Sequence, residues 1–377
     1  MGRRPSVAPP RVVVRRPVTP ESVHGWLLLS ILALGLALAP LPAWVVDRFY
    51  SREMYPWVQA WLTAATNLLP IAILDLLLLA GALLALRRAH RLWLLARHRG
   101  VLDALWDLAR RIVRVTAFLG LMFLWTWGLH YRRLPLETAL AGNQAVEPTQ
   151  QMLQNAIADA NGLAGRLRPT VVSQSPSYEA LAGELREPMN LALEQLGRPP
   201  LGTAGRPKFS LLLTPYFTAA GITGMINPLA LESIVHPDLL PFERAFVLAH
   251  EWSHLAGQAD EAEASAVGWL ACMNGTPATA YSASLYLITE GVAALPADAR
   301  RPAMARVNPD VRADLEAIAE RMRKQRPAVR DAADRAYDEF LKANRVEDGT
   351  ASYARALTLI LAAPVYDAMG NFRATRR

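Results

Sequence analysis

The sequence predicts a mainly α-helical chain with a small β element: a three-helix transmembrane anchor over residues 1–136, then a globular domain over 137–377. Three observations predict this. Apolar segments of bilayer-crossing length, about 20 residues, crowd the first third. Charge divides unevenly between the two parts. The remainder is polar and patterned as helices, with one short apolar run.

Composition agrees. Of 377 residues, 52% are hydrophobic and only 19% charged, below the ~25% usual in soluble domains. A single cysteine, Cys272, excludes an internal disulfide framework and reads as a small core residue. The net charge of +7 is not spread evenly: residues 1–136 carry 17 Arg against six acidic residues, and residues 137–377 are net −4. The basic excess therefore belongs to the apolar part. It reads as a topology signal and not as a nucleic-acid surface.

The expected spans are Trp26–Val46, Leu68–Leu86 and Val115–Tyr131. The first is not read as a cleaved signal peptide, because no small-x-small site follows and further spans do. The tail before Glu21 holds five Arg, and the Arg87–Arg114 loop holds eight against Asp103 and Asp107. The positive-inside rule places both in the cytoplasm. An odd number of spans then puts the later domain on the outer, periplasmic face of a bacterial cytoplasmic membrane. Arg132 and Arg133 run against the rule. Trp57, Trp61, Trp125 and Trp127 suit an interfacial belt. Asp75, inside the second span, is either an intramembrane functional carboxylate or a hydrated residue at the outer end.

Beyond residue 137, ETALAGNQAVEPTQQMLQNAIADANGLAGRL and LAGELREPMNLALEQLG read as helices, and KFSLLL (208–213) as a buried strand. Gly221–Asn227 is expected as an edge strand or Gly-rich loop, and residues 296–377 as helices.

The chemistry concentrates in AFVLAHEWSHLAGQADEAEASAVGWLAC, residues 245–272. Pro241 is placed to start a helix and Gly257 to stop it. On that helix His250 and His254 are one turn apart, so both imidazoles reach one ion. Zinc takes such nitrogen ligands, with three protein ligands and an open position in catalytic sites. Glu251 is then the general base that takes a proton from water, for metal-assisted hydrolysis of a carbonyl substrate such as a peptide. The third ligand has three candidates. Asp260 fits HExxHxxGxxD, a spacing like that of metzincins. Glu261 fits a following E-x-x-A helix like that of gluzincins, and Glu263 is also near. Asp260 with Glu263 resembles a capping box, which leaves Glu261 free to face the histidines. An oxyanion-stabilising donor is required; Tyr353, Tyr216, Asn227 and His236 are candidates. A zinc-stabilised envelope scaffold without turnover is the alternative, but it has no use for Glu251. Intramembrane proteolysis is disfavoured, because the motif lies more than 100 residues past the last span.

Three apolar spans, SREMYP, LHYRRLPL, GMINP, PFERAFVLAHEWSHLAG, DEAEASAVGWLAC, YDEFLKAN and GTASYARAL together resemble a bacterial family, domain of unknown function 3810. The resemblance implies a membrane-anchored zinc peptidase with a zincin-like fold. In that family the stretch after the motif runs E-D-E-A-N. This maps its first Glu onto Glu261, its second onto Glu263 and its Asn onto Ser265, and the Asp260 position is not acidic. Ala262 and Ser265 depart from the pattern.

Overall fold

The computed structural model describes residues 20–138, 140, 147–174, 176–346 and 355–363. The described chain is mainly helical with a small two-stranded sheet. Its N-terminal elements are α1 (Pro20–Leu38), α2 (Ala43–Val45), a π-helical stretch Val46–Met54, α3 (Tyr55–Asn67), α4 (Ile73–Arg99) and α5 (Val101–Thr126). There follow α6 (Gln150–Gln174), α7 (Tyr178–Gln195), α8 (Thr214–Ala220), β1 (Gly224–Asn227) and β2 (Glu232–Val235). The last run comprises α9 (Arg244–Leu255), α10 (Glu261–Met273), α11 (Pro277–Ala294), α12 (Ala297–Ala305), α13 (Pro309–Met322), α14 (Pro327–Ala343) and α15 (Arg355–Ala362).

By contacts the chain divides into two units, residues 1–39 with 91–121, and 40–90 with 122–377. In the first, the described side chains are largely apolar and exposed: Leu28, Ile31, Leu32 and Leu38 on α1, and Leu102, Leu105, Trp106 and Phe118 on α5.

The second unit holds the main core. Trp252, Trp269, Tyr281, Met189, Leu185 and Leu181 are completely or almost completely buried. Helix α10 lies against α9, α7, α15 and α11, and α11 in turn packs along α6. Helices α9 and α10 approach closely because Gly268 lacks a side chain: a Cβ there would lie 2.9 Å from the backbone nitrogen of His250. Substitution at Gly268 would force the two helices apart where they carry the motif.

The sheet is antiparallel, with Gly224 opposite Val235 and Asn227 opposite Glu232. Residues 208–213 are not the expected strand. Only Lys208 bridges to β2, opposite Ile234 in parallel sense, and Leu211 and Leu212 are exposed. The reason is polar. The Lys208 ammonium is fully buried on the Glu232 carboxylate at 2.9 Å and the Thr66 carbonyl at 2.7 Å, so the chain turns there. Gly221 ends α8 at φ +79°, and the strand begins at Gly224. Helix α9 starts at Arg244, later than Pro241, because residues 241–243 form a turn in which the Glu243 carboxylate accepts the Leu240 N–H. Gly257, at φ +86°, follows its end.

No single described helix is long and apolar enough to cross a membrane; Leu28–Leu38 and Ala43–Asn67 reach that length only as a pair bent by 110°. The first expected span breaks between Leu38 and Ala43, a stretch that includes Pro40 and Pro42. The second starts at Ile73, where the Glu232 carboxylate accepts the N–H groups of Ile73 and Leu74, both at 2.8 Å. The third ends at Thr126, and Trp127, Gly128, Leu129 and His130 are buried within the second unit.

Candidate metal centre

Helix α9 places His250 and His254 on one face, and their rings meet edge to face at 4.7 Å. Each ring has its Nδ1 engaged. His254 Nδ1 lies 2.7 Å from the Gln258 carbonyl. A carbonyl only accepts, so Nδ1 carries a proton, and Nε2 is the ring nitrogen turned toward Glu261. His250 Nδ1 lies 3.2 Å from the Ser265 hydroxyl. Ser265 thus holds the first histidine. Ala262, one residue past Glu261, is fully buried and fills core space.

Both Nε2 atoms point to Glu261. Its Oε2 is 3.2 Å from His250 Nε2 and 3.4 Å from His254 Nε2. One ligand atom from each of His250, His254 and Glu261 falls within a 4.8 Å group. Imidazole and carboxylate donors at this separation fit a divalent cation. The Glu261 side chain is 6% exposed and His254 8%, whereas His250 is 16% exposed, so access is from the His250 side.

The electrostatics agree. Burial raises the Glu261 carboxyl, but the facing imidazoles, His254 first, hold it well below the usual carboxylate range. Burial lowers His254, yet the Glu261 carboxylate overcomes this and lifts it to about 9. His250 is lowered, chiefly by burial. The carboxylate therefore draws positive charge to the point between the three side chains.

Glu251 is buried, and its Oε2 has no hydrogen-bond partner among the described residues. Burial pushes its carboxyl up to about 8. It fits only because β1 begins with glycine: a Cβ at Gly224 would lie 2.5 Å from Glu251 Oε1. The motif helix and the sheet edge thus meet at the carboxylate.

The acidic cluster after the motif separates by role. Asp260 is the N-cap of α10, accepting from the Glu263 N–H at 3.1 Å, and it also pairs with Arg355 at 2.8 Å. The capping box is only half formed. Glu263 turns away to accept the Leu136 N–H at 2.7 Å, because the buried Arg133 and Arg198 lie on that side.

Among the oxyanion candidates, Tyr353 lies outside the described residues. Asn227 is spent on the Glu232 carboxylate and the Leu229 N–H. His236 is spent on Thr218 and the Asp238 N–H. Tyr216 is 43% exposed beside Phe217. Asp75 is no isolated membrane carboxylate: it accepts from the Ser210 hydroxyl and, at 2.7 Å, from the Leu211 N–H.

Sequence reasoning missed Tyr337. On α14, its hydroxyl donates to Glu261 Oε1, leaving Oε2 for the histidine side. It also missed Trp127, whose ring lies 5.8 Å from that of His254. Neither has a spacing signal, since each is contributed from a distant element.

The chain was compared with known proteins. No curated protein and no solved structure matches it. One family, described as "protein of unknown function (DUF3810)", matches residues 50–361. That range takes in α3, both strands, the motif helices and Tyr337, and on this evidence the chain belongs to the DUF3810 family.

Proposed function

We propose that the protein is a membrane-anchored zinc metallopeptidase that hydrolyses peptide bonds at the outer face of a bacterial cytoplasmic membrane. The observation that carries this reading is the convergence of His250, His254 and Glu261 beside a buried carboxylate, Glu251, with an unpartnered oxygen. Two nitrogens and one carboxylate suit zinc with a position left for water. When bound, zinc supplies a more acidic water and polarises the substrate carbonyl.

The chain's own residues do the rest. Glu251 takes the proton as water attacks the carbonyl and returns it to the leaving amine. Burial, which favours its neutral form, suits the return step. β1 pairs with β2 on one side only, with no strand partner on its other edge among the described residues. An extended peptide can add to that edge through main-chain hydrogen bonds, and Gly224 brings the edge to Glu251. This supports the zincin-like reading.

The anchor rests on exposed hydrocarbon. Leu76, Leu77, Leu79, Leu83, Leu84 and Leu86 of α4 are all exposed, as are the α1 and α5 residues named above. Exposed apolar residues on each of these helices suit lipid and not water. The apolar part of α4, Ile73–Leu86, is short for a crossing, so Arg87 and Arg88 snorkel to the cytoplasmic headgroups. Nucleic acid is not a partner in this reading.

The functional test is cleavage of unstructured peptides by the purified full chain. Chelation should abolish cleavage and zinc should restore it; chelator-resistant cleavage would reject the proposal. Tyr337→Phe is expected to weaken zinc affinity about 10–100-fold, the usual effect of removing a ligand's hydrogen-bond partner, with circular dichroism unchanged. Unchanged affinity in a metal-competition titration would remove Tyr337 from the site.

A further inference from the structure

Helix α3 has its polarity reversed. The face toward the protein is polar: Gln59, Thr63 and Thr66 are buried together with Tyr55. Gln59 bonds the Thr203 carbonyl at 2.7 Å, Thr63 donates to the Leu231 carbonyl at 2.7 Å, and the Thr66 carbonyl receives Lys208. The opposite face carries Trp57 and Trp61, 70% and 73% exposed. A helix packed on a water-soluble domain has the opposite pattern.

The surface continues past the helix. Leu68, Leu69 and Ile71 are exposed in the connection to α4, and Leu211 and Leu212 in the 209–213 turn. These segments are physically joined. Asn67 bonds the Ala204 carbonyl and the Arg206 N–H, and Asp75 at the start of α4 holds Ser210 and Leu211. No Asp, Glu, Lys or Arg occurs from Tyr55 to Leu74 or from Phe209 to Leu231. The patch runs directly into the exposed leucines of α4.

We propose that α3 and the 209–213 turn form a second membrane contact, lying in the headgroup–acyl boundary of the outer leaflet beside the α4 anchor. The proposal rests on the membrane-anchor reading above, and the occupant follows from chemistry. Tryptophan on an uncharged apolar face, continuous with bare hydrocarbon, is the composition of a bilayer interface. Protein interfaces instead carry a polar rim. The consequence for function is positional. The turn's Lys208 is paired with β2, β2 with β1, and β1 touches Glu251. The catalytic edge is thus two strands from the bilayer surface, which favours substrates that present an extended segment close to the membrane, such as tails of anchored proteins.

The native Cys272 is fully buried, so introduced cysteines can be labelled selectively. Trp57→Cys, Trp61→Cys and Leu211→Cys would each receive a nitroxide in the full chain, reconstituted in phosphatidylethanolamine–phosphatidylglycerol vesicles. Leu83→Cys reports the anchor, and Arg301→Cys, exposed on α12, reports water. Collision rates with oxygen and with a nickel chelate are then compared. Labels at 57, 61 and 211 are expected to favour oxygen over nickel several-fold, as at 83, and the label at 301 the reverse. Nickel-accessible labels at 57, 61 and 211 with a lipid-exposed 83 would overturn the second contact and leave the anchor standing. Spin–spin broadening at 57 or 211 would overturn it in favour of a second copy of the chain. A nickel-accessible 83 would overturn the anchor reading itself. None of these readouts depends on zinc or cleavage, and circular dichroism verifies that each labelled chain is folded.

Discussion

Glu251→Gln is expected to lower peptide hydrolysis by about 10²–10⁴-fold, the range for loss of a general acid–base group, while bound zinc stays at the wild-type level. The two outcomes separate because Glu251 is outside the ligand trio of His250, His254 and Glu261. The amide has the shape of the carboxyl, so it fits against Gly224 without a new contact. What it cannot do is accept a proton from water. Initial rates on a fluorogenic peptide, measured beside metal content, check both halves. An undiminished rate would remove Glu251 as the base. If the Gln form fully rescued cells lacking the protein, a non-catalytic zinc-stabilised scaffold would be the better account.

The motif was legible because helix geometry is local. His250 and His254 share a face at any i, i+4 spacing, and Gly257 was readable as the stop. The role of Asp260 was legible for the same reason: an N-cap is defined by its next three residues, and the Glu263 N–H is where the rule puts it. The carboxylate of Glu263 was not, because its partner Leu136 is far away in sequence. Tyr337 and Trp127 belong to this non-local class, as does the room that Gly224 leaves for Glu251.

The apolar N-terminal part was legible in composition and not in shape. Apolar length marked three segments, but the break between Leu38 and Ala43 and the burial of Trp127–His130 depend on tertiary contacts. KFSLLL misled for a related reason. Its leucines have strand character, but Lys208 is captured by Glu232 and Asp75 takes Ser210 and Leu211. These bonds turn the segment outward.

The second large effect concerns the third ligand. Glu261→Ala is expected to reduce zinc affinity by more than the ~10–100-fold that an outer partner carries, because it removes the carboxylate that, among the described residues, faces both imidazole Nε2 atoms. Asp260→Ala instead removes an N-cap and the Arg355 pair. That costs about 0.5–2 kcal/mol of stability through the cap and leaves the donor trio intact. The geometric difference is clear: the Asp260 carboxylate points at the α10 backbone and Arg355, and the Glu261 carboxylate points at the histidines.

The most direct measurement is therefore metal analysis of the purified full chain beside its His254→Ala, Glu261→Ala and Asp260→Ala forms. The predicted result is one zinc per chain in the wild type and in Asp260→Ala, and almost none in His254→Ala and Glu261→Ala. Wild-type protein without stoichiometric zinc, or zinc lost from Asp260→Ala and retained by Glu261→Ala, would contradict the account.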